Sequence, residues 1–155
     1  MTVAFIGHRK VEQKEALKIR LESIVTTLIE QENADTFLFG SRSEFDSLCY
    51  EIVSDLKKVH QHIKRVYVRA EYEYIDKNYT DYLLTFYEET IFPNKVSGAG
   101  RLSYVKRNQV MVDMCDVAVV YCDTNYIPTA PTKSGTVMAT AYAQQKKKRI
   151  INSIS

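Results

Sequence analysis

The stretch DVAVVYCDTNYIPTAPTKSGTVMATAYA, residues 116–143, sets the fold. A nearly unbroken apolar run enters a loop rich in Pro and Thr, and the loop delivers Ser134-Gly135-Thr136 to the head of an alanine-rich segment. Apolar character without alternation marks a strand buried on both faces. The Ser-Gly-Thr head marks a helix start, where exposed N–H groups favour an anion. Strand, loop and helix start in this order form the ligand-binding unit of an open α/β sheet. Residues 124–143 contain no carboxylate. The segment therefore reads as a holder of a ligand rather than a source of acid or base.

Working outward, the same alternation recurs. Residues 2–6 form a β-rich run that stops at Gly7, and Leu17, Leu21, Ile24, Val25 and Leu28 place a helix within residues 11–31. DTFLFG (35–40) is a second strand. Phe45, Leu48, Cys49, Ile52, Val53, Leu56 and Val59 then trace one face of an amphipathic helix. KRVYVRA (64–70) is a third strand. A tyrosine-dense segment follows, with a helix predicted near residues 78–89, and VSGAGR (96–101) reads as loop. A helix over 102–114, the strand over 116–122, a helix over 135–145 and a strand over 148–154 complete the chain. Strands alternating with helices predict one Rossmann-like α/β domain of three layers, with a mainly parallel sheet of about five strands.

The 155 residues are 45% hydrophobic and 26% charged, with a net charge of +2. That balance gives no basic footprint for nucleic acid. No run approaches the roughly 18 apolar residues of a membrane span. MTVAFIGHRK reads as a first strand rather than a basic leader. Cys49, Cys115 and Cys122 form no CxxC, each sits in an apolar run, and they read as buried reduced thiols of a cytoplasmic protein. His60 and His62 lack a third ligand type nearby, so neither a metal site nor a cofactor is expected.

Three junctions place glycine beside polar residues where a strand meets a helix: Gly7-His8-Arg9, Gly40-Ser41-Arg42-Ser43 and Ser134-Gly135-Thr136. None completes GxGxxG or GxxxxGK[ST], which disfavours an ordinary dinucleotide or P-loop site. Plainer readings stand beside the functional one. Ser43 and Asp46 have capping-box spacing, and His8 with Arg9 fits a solvated turn. Tyr72 and Tyr74 fit either half-buried packing or stacking on a base. Arg107 and Asn108 lie on a helix with a core face, where an Arg serves as surface or as site.

Taken together, FIGHR, FLFGSRSEFDSLCYE, YVKRNQVMVDMCDVAVVYCD and the closing SGT, AYA and KRIIN blocks resemble the SLOG superfamily. These are the Rossmann-like relatives of the Lonely Guy nucleotide phosphoribohydrolases and of the DNA-processing protein DprA. The closest likeness is to its small bacterial and phage branch, and it extends from Val3 to Asn152. The resemblance implies that Arg107 contacts a nucleotide's phosphate or sugar, and that Ser134, Gly135 and Thr136 hold phosphate at a helix start. Gly7, His8, Arg9, Gly40 and Ser41 would line the pocket floor, with Asn108 beside Arg107 and Tyr72 or Tyr74 packing on the base. Lonely Guy enzymes place a glutamate three residues after their Gly-Thr pair, where this sequence has Ala139. A methyl group moves no proton.

The expected function is therefore binding of a nucleotide or nucleotide-derived small molecule by a sensor or sequestering module. ADP-ribose-like and cyclic nucleotides are the ligand class that the resemblance suggests, and homodimerisation is a second implication of it. The alternative is a phosphoribohydrolase in which Asp46 or Glu44 replaces the missing glutamate. DNA handling, by analogy with DprA, ranks third for want of a basic stripe.

Overall fold

Strand β1 (Thr2–Gly7) occupies the interior of a six-stranded sheet, between β2 (Thr36–Phe39) and β5 (Val117–Tyr121). This is a computed structural model that describes residues 1–123, 125 and 134–154. The Pro/Thr-rich loop read at 124–133 lies outside the described residues apart from Asn125. With β3 (Lys64–Val68), β4 (Glu89–Ile91) and β6 (Arg149–Asn152), the sheet runs β4-β3-β2-β1-β5-β6, and every neighbouring pair is parallel. The fold is α/β and Rossmann-like as expected, with six strands rather than about five.

Period-two alternation divides the core. Val3, Phe5, Phe37, Phe39, Val117 and Val119 face one side of the sheet, packed with apolar residues of α1 (Lys14–Glu32) and α2 (Glu44–Lys57). Ala4, Ile6, Leu38, Val66, Ala118 and Val120 face the other side, against α4 (Ser103–Met114) and α5 (Gly135–Gln145). Right-handed crossovers account for this division: the chain steps outward from β1 to β4 along one face, then returns to β5 along the other. Phe5 anchors the first layer, with its ring centroid 5.2 Å from that of Phe39 and 5.9 Å from that of Phe37.

The tyrosine segment departs most from expectation. Its helix, α3 (Lys77–Leu84), is capped by Asp76, whose side chain accepts Tyr79 N–H. It ends five residues before Glu89, the predicted limit, because the chain turns at Thr85 and re-enters the sheet as β4, with Val66 opposite Glu89 and Val68 opposite Ile91. Helix α1 starts at Lys14 rather than residue 11, after Gln13 in a left-handed conformation at φ 48°. The 96–101 loop abuts two 3₁₀ turns, Asn94–Val96 and Gly100–Leu102. Among the described residues no helix is long and apolar enough to cross a membrane, and Cys49, Cys115 and Cys122 are free and buried.

Candidate ligand-binding site

Strand order reverses at β1, and in open parallel sheets the loops beyond such a point part to leave a crevice. A cavity of about 1250 Å³ opens there, beyond the carboxyl ends of β1, β2 and β3. Its floor includes Gly7, His8 and Arg9 after β1 and Gly40 and Ser41 after β2. Arg107 and Asn108 of α4 enter from one side, as does the α5 start at Ser134, Gly135 and Thr136, and Tyr72 and Tyr74 stand after β3. Twelve residues singled out from five separated sequence blocks thus surround one space. Of the two acids, Asp46 lines it and Glu44 does not: the Glu44 carboxylate accepts Val11 N–H at 2.8 Å and fastens the loop after β1.

Arg107 is 5% exposed and crosses directly over the end of β2. Its Nη1 donates to Gly40 O, its Nε donates to Asn108 Oδ1 at 3.1 Å, and its guanidinium lies 5.4 Å from the Tyr104 ring centroid. Gly40 is needed for this crossing, since a Cβ there would lie 2.7 Å from Arg107 Cδ and 2.6 Å from Met111 Sδ. Gly7 has a comparable reason, because a Cβ would meet the buried Phe45 ring at 2.3 Å. Gly135 has none: the nearest atom to a Cβ there is Asn108 Nδ2 at 3.9 Å. Burial lowers the Arg107 pKa, against the pull of Asp46, yet a guanidinium stays protonated in a protein. Among the described residues no carboxylate oxygen lies within 4.0 Å of it.

Asp46 sits beneath this arginine, 3% exposed. Only half of the capping box forms. Ser43 Oγ accepts Asp46 N–H at 3.0 Å, whereas Asp46 Oδ2 accepts Ser41 N–H at 2.9 Å and Gly40 N–H at 3.2 Å. Asp46 Oδ1 is buried without a partner. Burial pushes the carboxyl pKa up to about 6, opposed by the two backbone N–H groups and by the charge of Arg107.

His8 is a buried group rather than a solvated turn, at 2% exposure. Its Nε2 accepts Asp123 N–H at 2.8 Å, which ties together the ends of the neighbouring strands β1 and β5. Burial lowers its pKa, and an Nε2 that accepts an amide N–H leaves the ring proton on Nδ1. Arg9 is exposed, and its carbonyl accepts Glu44 N–H at 2.8 Å. At the α5 start, Ser134 Oγ accepts Val137 N–H at 3.3 Å. The N–H groups of Gly135 and Thr136 have no acceptor within the helix.

No family model matches the chain, and no curated protein matches it significantly. The site is therefore read from its own geometry. That geometry adds Arg69, Tyr67, Tyr79, Tyr104 and Glu71 to the cavity lining, together with Arg42 of the Gly40–Ser43 junction. Arg69 closes the run KRVYVRA, and an arginine at a strand end reads as solvated until the neighbouring β4 is known to cover it. Tyr72 and Tyr74 are 65% and 90% exposed at the rim, so they are not packing residues. Tyr72 adopts φ 58°, a left-handed conformation that a bulky residue rarely takes and that recurs at ligand clamps. Ala139 is 3% exposed among the apolar residues between α5 and the sheet, away from the cavity wall.

Proposed function

We propose that this domain binds a nucleotide or nucleotide-derived anion, as a SLOG-type sensor or sequestering module. The observation that carries the reading is Arg107, a buried cation with no carboxylate within 4.0 Å among the described residues, which lines the crevice where open α/β sheets take ligands together with the start of α5. Buried charges are normally paired, and a phosphate would supply the missing partner through a charge-assisted fork. Exposed Tyr72 and Tyr74 at the rim supply faces on which a base can stack. Binding takes precedence over turnover because Ala139 occupies the position at which Lonely Guy enzymes, which the chain resembles, carry their glutamate. Calorimetry with AMP, ADP-ribose, NAD and cyclic nucleotides tests this. Arg107→Ala abolishes binding and Arg107→Lys leaves a weakened remnant, since lysine keeps the charge without the fork. Unchanged affinity in a folded Arg107→Ala protein overturns the assignment.

Asp46 supports a second reading, hydrolysis of the N-glycosidic bond. A buried acid at the cavity wall, with a raised pKa and one unpartnered oxygen, has the properties of a general acid or base. Release of free base from nucleoside monophosphates, lost in Asp46→Asn, would establish it. Absence of turnover with adenine, guanine and cytosine nucleotides counts against it.

A further inference from the structure

A second buried arginine in the cavity has no role in the site as described so far. Arg69 directly follows β3 and is 9% exposed. Its backbone N–H donates to Ile91 O at 2.8 Å, which fixes the residue against β4. The guanidinium lies 5.8 Å from the Phe92 ring centroid, and Nη1 reaches Thr90 Oγ1 at a long 3.4 Å. Nε is buried with no hydrogen-bond partner. Among the described residues no carboxylate oxygen comes within 4.0 Å of this side chain either. Burial lowers its pKa, but it remains a cation. Thr90 and Phe92 hold the group without neutralising it.

Arg107 crosses the end of β2, and Arg69 follows the end of β3, the adjacent strand. Each arginine thus enters the cavity over a different strand end, and neighbouring strands are about 4.8 Å apart. The cavity that both line, at about 1250 Å³, exceeds the roughly 300–1,000 Å³ usual for small-molecule sites. We infer that Arg69 forms a second anion subsite and that the ligand carries two anionic groups, as a nucleoside diphosphate, ADP-ribose or a diphosphate-bridged dinucleotide does. The ligand class rests on the nucleotide reading above, whereas the subsite rests on Arg69 itself.

Calorimetry on the whole chain with AMP, ADP-ribose and inorganic pyrophosphate tests the inference. The unaltered protein binds ADP-ribose at least tenfold more tightly than AMP. Arg69→Gln weakens ADP-ribose and pyrophosphate at least tenfold and AMP less than twofold, and Arg69→Lys recovers part of the loss, with thermal melting to verify folding. Equal affinities for AMP and ADP-ribose in the unaltered protein overturn the inference without any variant. Equal losses for both nucleotides in Arg69→Gln overturn it as well, because a general disturbance of the site would act that way. Pyrophosphate binding that depends on Arg69, without binding of either nucleotide, upholds the subsite and overturns the nucleotide reading. Failure of all three probes to bind overturns both.

Discussion

Asp46→Asn separates the charge of the buried carboxyl from its shape. Burial raises this acid to about 6, against an ordinary value of 3.8. Each pKa unit is worth about 1.4 kcal/mol, so ionisation of Asp46 costs the folded state about 3 kcal/mol. The sign follows from which state holds the proton more tightly. Well below pH 3.8 both states are protonated and there is no penalty. As pH rises the unfolded chain releases its proton first, so stability falls through the window up to about 6 and the full penalty persists above it. Asparagine keeps an oxygen for Gly40 N–H and Ser41 N–H and places a neutral amide where Oδ1 has no partner. Any fixed cost of that amide, about 1–3 kcal/mol, is the same at both ends of the window. The stability of Asp46→Asn relative to the parent therefore improves by about 2.4 kcal/mol between pH 4 and pH 7, since the unfolded carboxyl is already partly ionised at pH 4. In a chain of this length that corresponds to a relative gain of roughly 5–10 °C in Tm. Urea unfolding and thermal melting of both proteins at the two pH values give the answer. A relative stability that does not move with pH refutes the reasoning, since it would mean that Asp46 titrates like a solvated carboxyl.

Gly40→Ala puts a methyl 2.6 Å from Met111 Sδ and 2.8 Å from Arg107 Nε. It should cost about 1–3 kcal/mol in urea unfolding, and nucleotide affinity should fall with it, because the arginine must shift. Gly135→Ala meets only Asn108 Nδ2 at 3.9 Å and should be neutral or stabilising by up to about 1 kcal/mol. Ser43→Ala removes the acceptor for Asp46 N–H and should lower stability by about 0.5–2 kcal/mol.

Five strands were legible because each is apolar and bounded by a glycine, a charge cluster or a cap. β4 was not, because three residues with one inward side chain carry no period, and the helix predicted near residues 78–89 ran up to its first residue. The cavity wall was legible at its glycines, since a residue without Cβ at a strand end advertises a close approach. Arg107 really does approach Gly40, and Phe45 approaches Gly7. Spacing alone could not reveal how deeply His8, Asp46 and Arg69 are buried. Each becomes buried through a partner far along the chain: Asp123 for His8, Arg107 for Asp46, and β4 for Arg69.

The position of β1 at the middle of the sheet has a kinetic consequence. Val3 pairs with Val117 and Gly7 with Tyr121, so one edge of the first strand made is matched only by the second-to-last. A nascent chain that has emerged as far as β4 can assemble four of the six strands, but it carries β1 with a bare edge of unpaired N–H and C=O groups and an uncovered apolar face. Such edges template misassembly between chains, and contacts this remote in sequence slow the search for the native state. Folding of the ligand crevice and closure of the sheet are then one late event, and a chaperone that shields β1 until β5 arrives would raise the yield of both together.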